Sequence, residues 1–151
     1  MQKLLKLLDK LESHVLHARV LNSAISKADI AWHIEHSCLV IIKIIETIQK
    51  SNPSKFESKF SLKKSIVFLT GNFPRGVAKA PSSVLPSENV STEHLTERIA
   101  KARASVHALL NCEKNQYFLH PIFGNLNSPQ TFRFLAIHTN HHLKIINDIL
   151  Q

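Results

Sequence analysis

The sequence predicts an all-α fold, a helical bundle forming a single domain over residues 1–151. Three observations predict it. Apolar residues recur at alternating steps of three and four along extended stretches, the period of one helix face. Only three glycines occur and 44% of residues are hydrophobic, so few turns are available and long helices are favoured. The most apolar window, Ile30 to Ile48, contains two His, two Glu and a Lys. It is too polar for a lipid-facing span and suits a buried helix. A chain of 151 residues fits one domain with one core.

The first helix is expected from Gln2 to near Val20. Leu4, Leu8, Leu11, Val15 and Ala18 form its stripe, and Leu5, Leu7 and Leu16 widen it. Lys3, Lys6, Lys10, Glu12 and Arg19 fall mainly on the other side. His14 and His17, at the stripe margin, read as surface residues. After a break over Asn22 to Lys27, Ser26 and Asp29 give the S-x-x-D form of a helix start. The second helix is expected from about Lys27 to Lys50. It is apolar nearly all round, as in a helix enclosed by others. Its β-branched run Val40 to Ile45 suits a strand too, but the apolar segment is too long for one.

Ser51 to Ser58 reads as a polar linker and Lys59 to Thr70 as a short extra helix. Leu62, Ile66 and Leu69 share one face of it, with Gly71 as C-cap. Asn72 to Asn89, with Pro74, Pro81 and Pro86, is a long irregular connection, the length needed for a crossover between helices. Ser91 to Cys112 is the next long helix, with Leu95, Ile99, Ala102, Val106 and Leu109 as its stripe. Asn111 to Asn127 is expected as an aromatic-rich loop folding back on the bundle. Ser128, as N-cap, and Pro129 open the final helix to Gln151.

The formal charge is +8, but most of it is local. Lys50 to Lys79 holds seven basic residues and one acid, a net of +6, against +2 for the remainder. Such a patch attracts nucleic acid, anionic lipid or a small anionic substrate. No aromatic is interleaved in a way that suggests base stacking and no nucleic-acid motif accompanies the patch, so nucleic acid is the weakest reading. Cys38 and Cys112 lack CxxC spacing, which points to a reduced, cytoplasmic setting. Cys38 reads as a small buried hydrophobe. Asp9 and Glu12 make the first helix a poor signal peptide, and no membrane role is expected.

Five of the ten histidines cluster on two of the most apolar helices, His33 and His36 on the second and His138, His141 and His142 on the last. Leu135, His138, His142, Ile145 and Ile149 continue one stripe, so two imidazoles stand at i, i+4 and reach one point in space. A metal site needs a third ligand from another element. His36 on the second helix is the first choice and His33 the rival. His141 lies one step off the stripe, as a surface residue, a supporting group or a substitute ligand. Glu35 reads as a wet-side residue, or else as a general base or a partner of a ligand nitrogen. His120 either caps the pocket or packs on the neighbouring Phe residues. Three histidines with open positions left resemble a catalytic more than a structural site.

Three motifs carry a family resemblance: Trp32-His33-Ile34-Glu35-His36, His120-Pro121-Ile122-Phe123-Gly124-Asn125-Leu126, and His138-Thr139-Asn140-His141-His142-Leu143-Lys144. Together they resemble the DinB-like superfamily, in its branch with HPxFG and HxxHHL motifs. The resemblance implies an up-down-down-up four-helix bundle with a long crossover, often a homodimer. It implies a divalent metal, commonly Zn or Ni, held by one histidine of the second helix and two of the last. Relatives include thiol-dependent S-transferases, an isomerase and hydrolases. The expectation is therefore a metal-dependent transferase or hydrolase using a low-molecular-weight thiol or water on a small-molecule substrate. The alternative is a non-catalytic binding or stress-response module with a structural or vestigial metal.

Overall fold

The computed structural model describes residues 1–76, 80–87 and 90–151. The chain is mostly helical. Five α-helices are described: α1 (Gln2–Ser13), α2 (Ile30–Gln49), α3 (Leu62–Thr70), α4 (Thr92–Ala108) and α5 (Ser128–Ile149). A two-stranded antiparallel hairpin, β1 (Tyr117–His120) with β2 (Gly124–Asn127), joins α4 to α5.

The apolar stripes dictate the packing. Leu8, Leu11, Ile34, Ile41, Ile99 and Leu135 have almost no exposed surface, each contributing about 1.5–3 kcal/mol by burial. α2 packs on α4 and α5, and α1 packs on the same two helices. Directions follow from side-chain contacts at the ends. Glu35, early in α2, meets His94 and Arg98, early in α4. Gln116, beyond the end of α4, bonds carbonyls of Ile48 and Gln49 at the end of α2. So α2 and α4 run parallel, and the segment between them crosses back along the molecule. α5 runs against them: Ser128 at its start bonds Gln116, while His142, well along it, bonds His33 near the start of α2. No helix among the described residues is long and apolar enough to cross a membrane.

Several elements depart from the sequence expectation. α1 ends at Ser13, and a 3₁₀ turn (Val15–His17) replaces its last turns. Spacing of three keeps Val15 and Ala18 buried and leaves Leu16 exposed. The carbonyls of Ala18 and Val20 then accept the Ala31 and Ile30 amides, donors that a helix start otherwise leaves unpaired. α2 begins at Ile30 because Asp29, not Ser26, caps it, accepting from the Trp32 amide at 2.9 Å. α5 is capped by Asn127 in a capping box with Gln130. Ser128, the expected cap, instead bonds the Glu113 carbonyl.

The expected loop over Asn111 to Asn127 contains the hairpin. Phe118 and its cross-strand partner Leu126 are buried while Leu119 is exposed, a two-residue alternation. Gly124, at φ +72, turns the chain where other residues are strained. In α3 the Leu62, Ile66 and Leu69 face points outward, and Val67 and Lys64 are buried instead. Lys64 Nζ reaches the Lys59 carbonyl at 3.2 Å. Lys79 of the basic segment and Asn89 at the end of the long connection lie outside the described residues.

A candidate metal centre

α2 and α5 bring His36, His138 and His142 together. One nitrogen of each lies within 4.8 Å of the others. The ring centroids stand 5.3 Å (His36–His138), 4.9 Å (His36–His142) and 4.7 Å (His138–His142) apart. The i, i+4 step on α5 aims two rings at one point, and antiparallel α2 supplies the third.

The hydrogen bonds leave the set ready for a cation. His36 Nδ1 donates to the Val84 carbonyl at 2.8 Å. That fixes the tautomer and leaves Nε2 as a lone-pair donor. His142 Nδ1 is 2.9 Å from His33 Nδ1, and His33 Nε2 is 3.0 Å from Ser26 Oγ. Among the described residues neither His36 nor His142 bonds through Nε2. His138 is partly exposed as a residue, yet its Nδ1 is buried without a partner among the described residues. An orphaned nitrogen of this kind costs about 1–3 kcal/mol in a dry site, so the donor set fits a metal better than a self-contained core.

Burial keeps the rings neutral. Desolvation, followed by repulsion from His36, His141 and His120, holds His138 well below its ordinary 6.5. Desolvation does the same to His142, helped by His138, His36 and His33. It also lowers His36, although the bond to Val84 opposes it. Neutral imidazole is the metal-binding form. Trp32 lies 4.8 Å from the His36 ring at an interplanar angle of 17°, and Phe134 stacks on His138 at 5.9 Å.

The remaining predicted residues fall elsewhere. His33 stands behind His142 and is not one of the three converging rings. His141 is half-buried, edge-on to Phe73 at 5.9 Å. Glu35 corrects the wet-side expectation: it is 1% exposed and faces α4. Its Oε1 accepts from His94 Nε2 at 3.0 Å and lies 3.5 Å from Arg98. Neither carboxyl oxygen bonds a histidine of the centre, so no base or supporting role arises there. His120 belongs to the hairpin. Its Nδ1 accepts the Ile122 and Phe123 amides, and its ring stacks on Phe123 at 4.3 Å. Burial pushes it down to about 4. Cys38 is fully buried, its thiol pushed up to about 12 by desolvation. It is core, not nucleophile.

Sequence reasoning missed two participants. Val84 acts through a backbone carbonyl, which leaves no trace in residue identity. Ser26 was read as a helix cap, and only the tertiary fold turns its hydroxyl towards His33. An open depression lined by Gln2, Lys3, Lys6, Leu7, Lys10 and Asn140 contains none of the histidines.

No known family model matches the chain, and neither a curated protein nor a solved structure does.

Proposed function

We propose that the protein binds one divalent metal ion through His36, His138 and His142 and belongs to the DinB-like superfamily. The observation that carries the reading is the convergence of three neutral imidazoles from two helices, two of them buried and with their Nδ1 atoms already engaged elsewhere. The parallel α2–α4 pair with its long connection, and antiparallel α5, agree with the up-down-down-up order that the motifs imply. Imidazole donors suit Zn or Ni. A single-domain, cytoplasmic homodimer is part of the same reading.

On this reading the protein is a metal-dependent transferase of the thiol S-transferase type, or a hydrolase. A bound ion supplies Lewis acidity, lowering the pKa of a water or thiol at its open position. The chain's own residues do the rest. Val84 and His33 orient two ligand rings, and Trp32 and Phe134 exclude water from them. The basic segment is a weaker guide for an anionic substrate than its charge suggests. Arg75 is paired with Asp148 at 2.6 Å and Lys64 is buried, leaving Lys50, Lys55, Lys59 and Lys63 exposed.

One observation favours the second reading, a non-catalytic module with a structural metal. His36 is 4% and His142 7% exposed, so only His138 is partly open to an approaching substrate.

Elemental analysis of untagged protein, never passed over a nickel column, tests the metal. About one ion per chain is expected in the parent, and far less in His138→Ala and His142→Ala. A parent without metal sinks the proposal. A screen of low-molecular-weight thiols with electrophilic substrates then separates enzyme from module.

A further inference from the structure

We infer that His33 is a positioning residue that holds His142 with its Nε2 turned to the centre, and that Ser26 holds His33 in turn. The inference rests on the metal reading above and adds the device that orients one ligand.

The chain of contacts is short. Ser26 Oγ lies 3.0 Å from His33 Nε2, and His33 Nδ1 lies 2.9 Å from His142 Nδ1. Two facing Nδ1 atoms at that distance share one proton, since two N–H groups clash and two lone pairs repel. Of the two proton orders, only one has His142 Nδ1–H donating to His33. That order leaves His142 Nε2 with its lone pair facing inward, and places a proton on His33 Nε2 for Ser26 to accept. Ser26 is itself held in place, because its Oγ accepts the Ala28 amide at 3.0 Å. His33 is 4% exposed and edge-on to Trp32, with centroids 5.3 Å apart, so its ring has little freedom to swing away. His36 receives the equivalent service from the Val84 carbonyl. Thus the two ligands are oriented by different means, one by backbone and one by a side-chain relay.

The test uses the full chain, with Zn(II) as the probe in competition with a chromophoric chelator. His33→Leu removes the acceptor, whereas His33→Asn keeps an oxygen at the Nδ1 position. His33→Leu is expected to weaken Zn(II) binding about 10–100-fold, and His33→Asn to recover most of that loss. Ser26→Ala, which leaves both rings in place, is expected to weaken binding by a smaller factor. Equal affinity in parent and His33→Leu overturns the inference. So does an Asn variant as weak as the Leu variant, which marks His33 as packing or as a direct ligand. If His33→Leu does not fold, the ¹⁵N shifts of the imidazoles in the unaltered, metal-free chain decide. His142 Nδ1 should be protonated and His33 Nδ1 bare, and the reverse order, two protonated or two bare Nδ1 atoms each overturn the relay. A parent that fails to bind Zn(II) defeats the proposed function, while these shifts still judge the His33–His142 bond separately.

Discussion

α2 carries a buried polar cluster on each of two faces, and the two are built on opposite principles. Towards α5, His33 and His36 join the neutral rings of His138 and His142; the Nδ1 atoms of His33, His36 and His142 are engaged, while that of His138 is not. Towards α4, Glu35 meets Arg98 and His94 as an ionic group. There, too, pairing is incomplete: Glu35 Oε2 and Arg98 Nε are buried without partners among the described residues. The lesson lies in what each cluster lacks. The ionic one already holds opposite charges and serves as an interhelix clamp. The histidine one holds no charge of either sign and turns lone-pair nitrogens inward, so a cation is the natural complement.

Acid is expected to separate the two clusters most strongly. Desolvation, then repulsion from His36, His141 and Arg75, lowers His33 from 6.5 to about 4, and burial also holds His138 and His142 well below 6.5. The unfolded chain therefore binds more protons than the folded one below its ordinary histidine pKa. Stability present above pH 6.5 is lost as pH falls towards 4, by about 1.4 kcal/mol per pH unit for each such ring. Urea midpoints of the metal-free protein across that window should fall steeply. A flat profile means that the rings accept protons in place.

Breaking the clamp comes next. Glu35→Ala strands Arg98, whose partial exposure places the cost near the lower end for such pairs, about 3 kcal/mol. Chemical denaturation should show this loss with metal stoichiometry unchanged. Loss of metal together with stability would mean that the two faces of α2 are coupled.

Metal addition gives a slightly smaller effect of opposite sign. At free Zn(II) a hundredfold above its dissociation constant, the parent should gain about 2.7 kcal/mol. His142→Ala should gain almost nothing in the same titration. Least of all is expected from α3. Leu62→Ser and Leu69→Ser alter residues 63% and 86% exposed and should stay within about 0.5 kcal/mol of the parent. A larger loss on diluting the parent alone would show that this face is covered in solution.

The stripes of α1, α4 and α5 were legible because their apolar spacing is long and regular, and α2 because its apolar run is too long for a strand. The His138–His142 pair was legible for the same reason, as an interruption of such a stripe. Glu35 was misjudged because α2 is apolar all round, so sequence offers no wet side to assign it to. The hairpin was missed because each strand spans four residues, too few for alternation to stand out from an aromatic loop. The end of α1 was overrun because Val15 and Ala18 fit both helical and 3₁₀ spacing. The outward turn of α3 depends on what its neighbours leave open, which no local pattern encodes.

The bond between His33 and His142 spans 109 residues, and this separation bears on how the molecule is assembled. On a ribosome, α2 emerges long before α5. Its isoleucine-rich surface must wait for distant partners, which delays folding and invites self-association. The ligand set is likewise incomplete until α5 has docked. Capture of a metal by these three histidines would thus be a late event, reporting that the chain has closed upon itself.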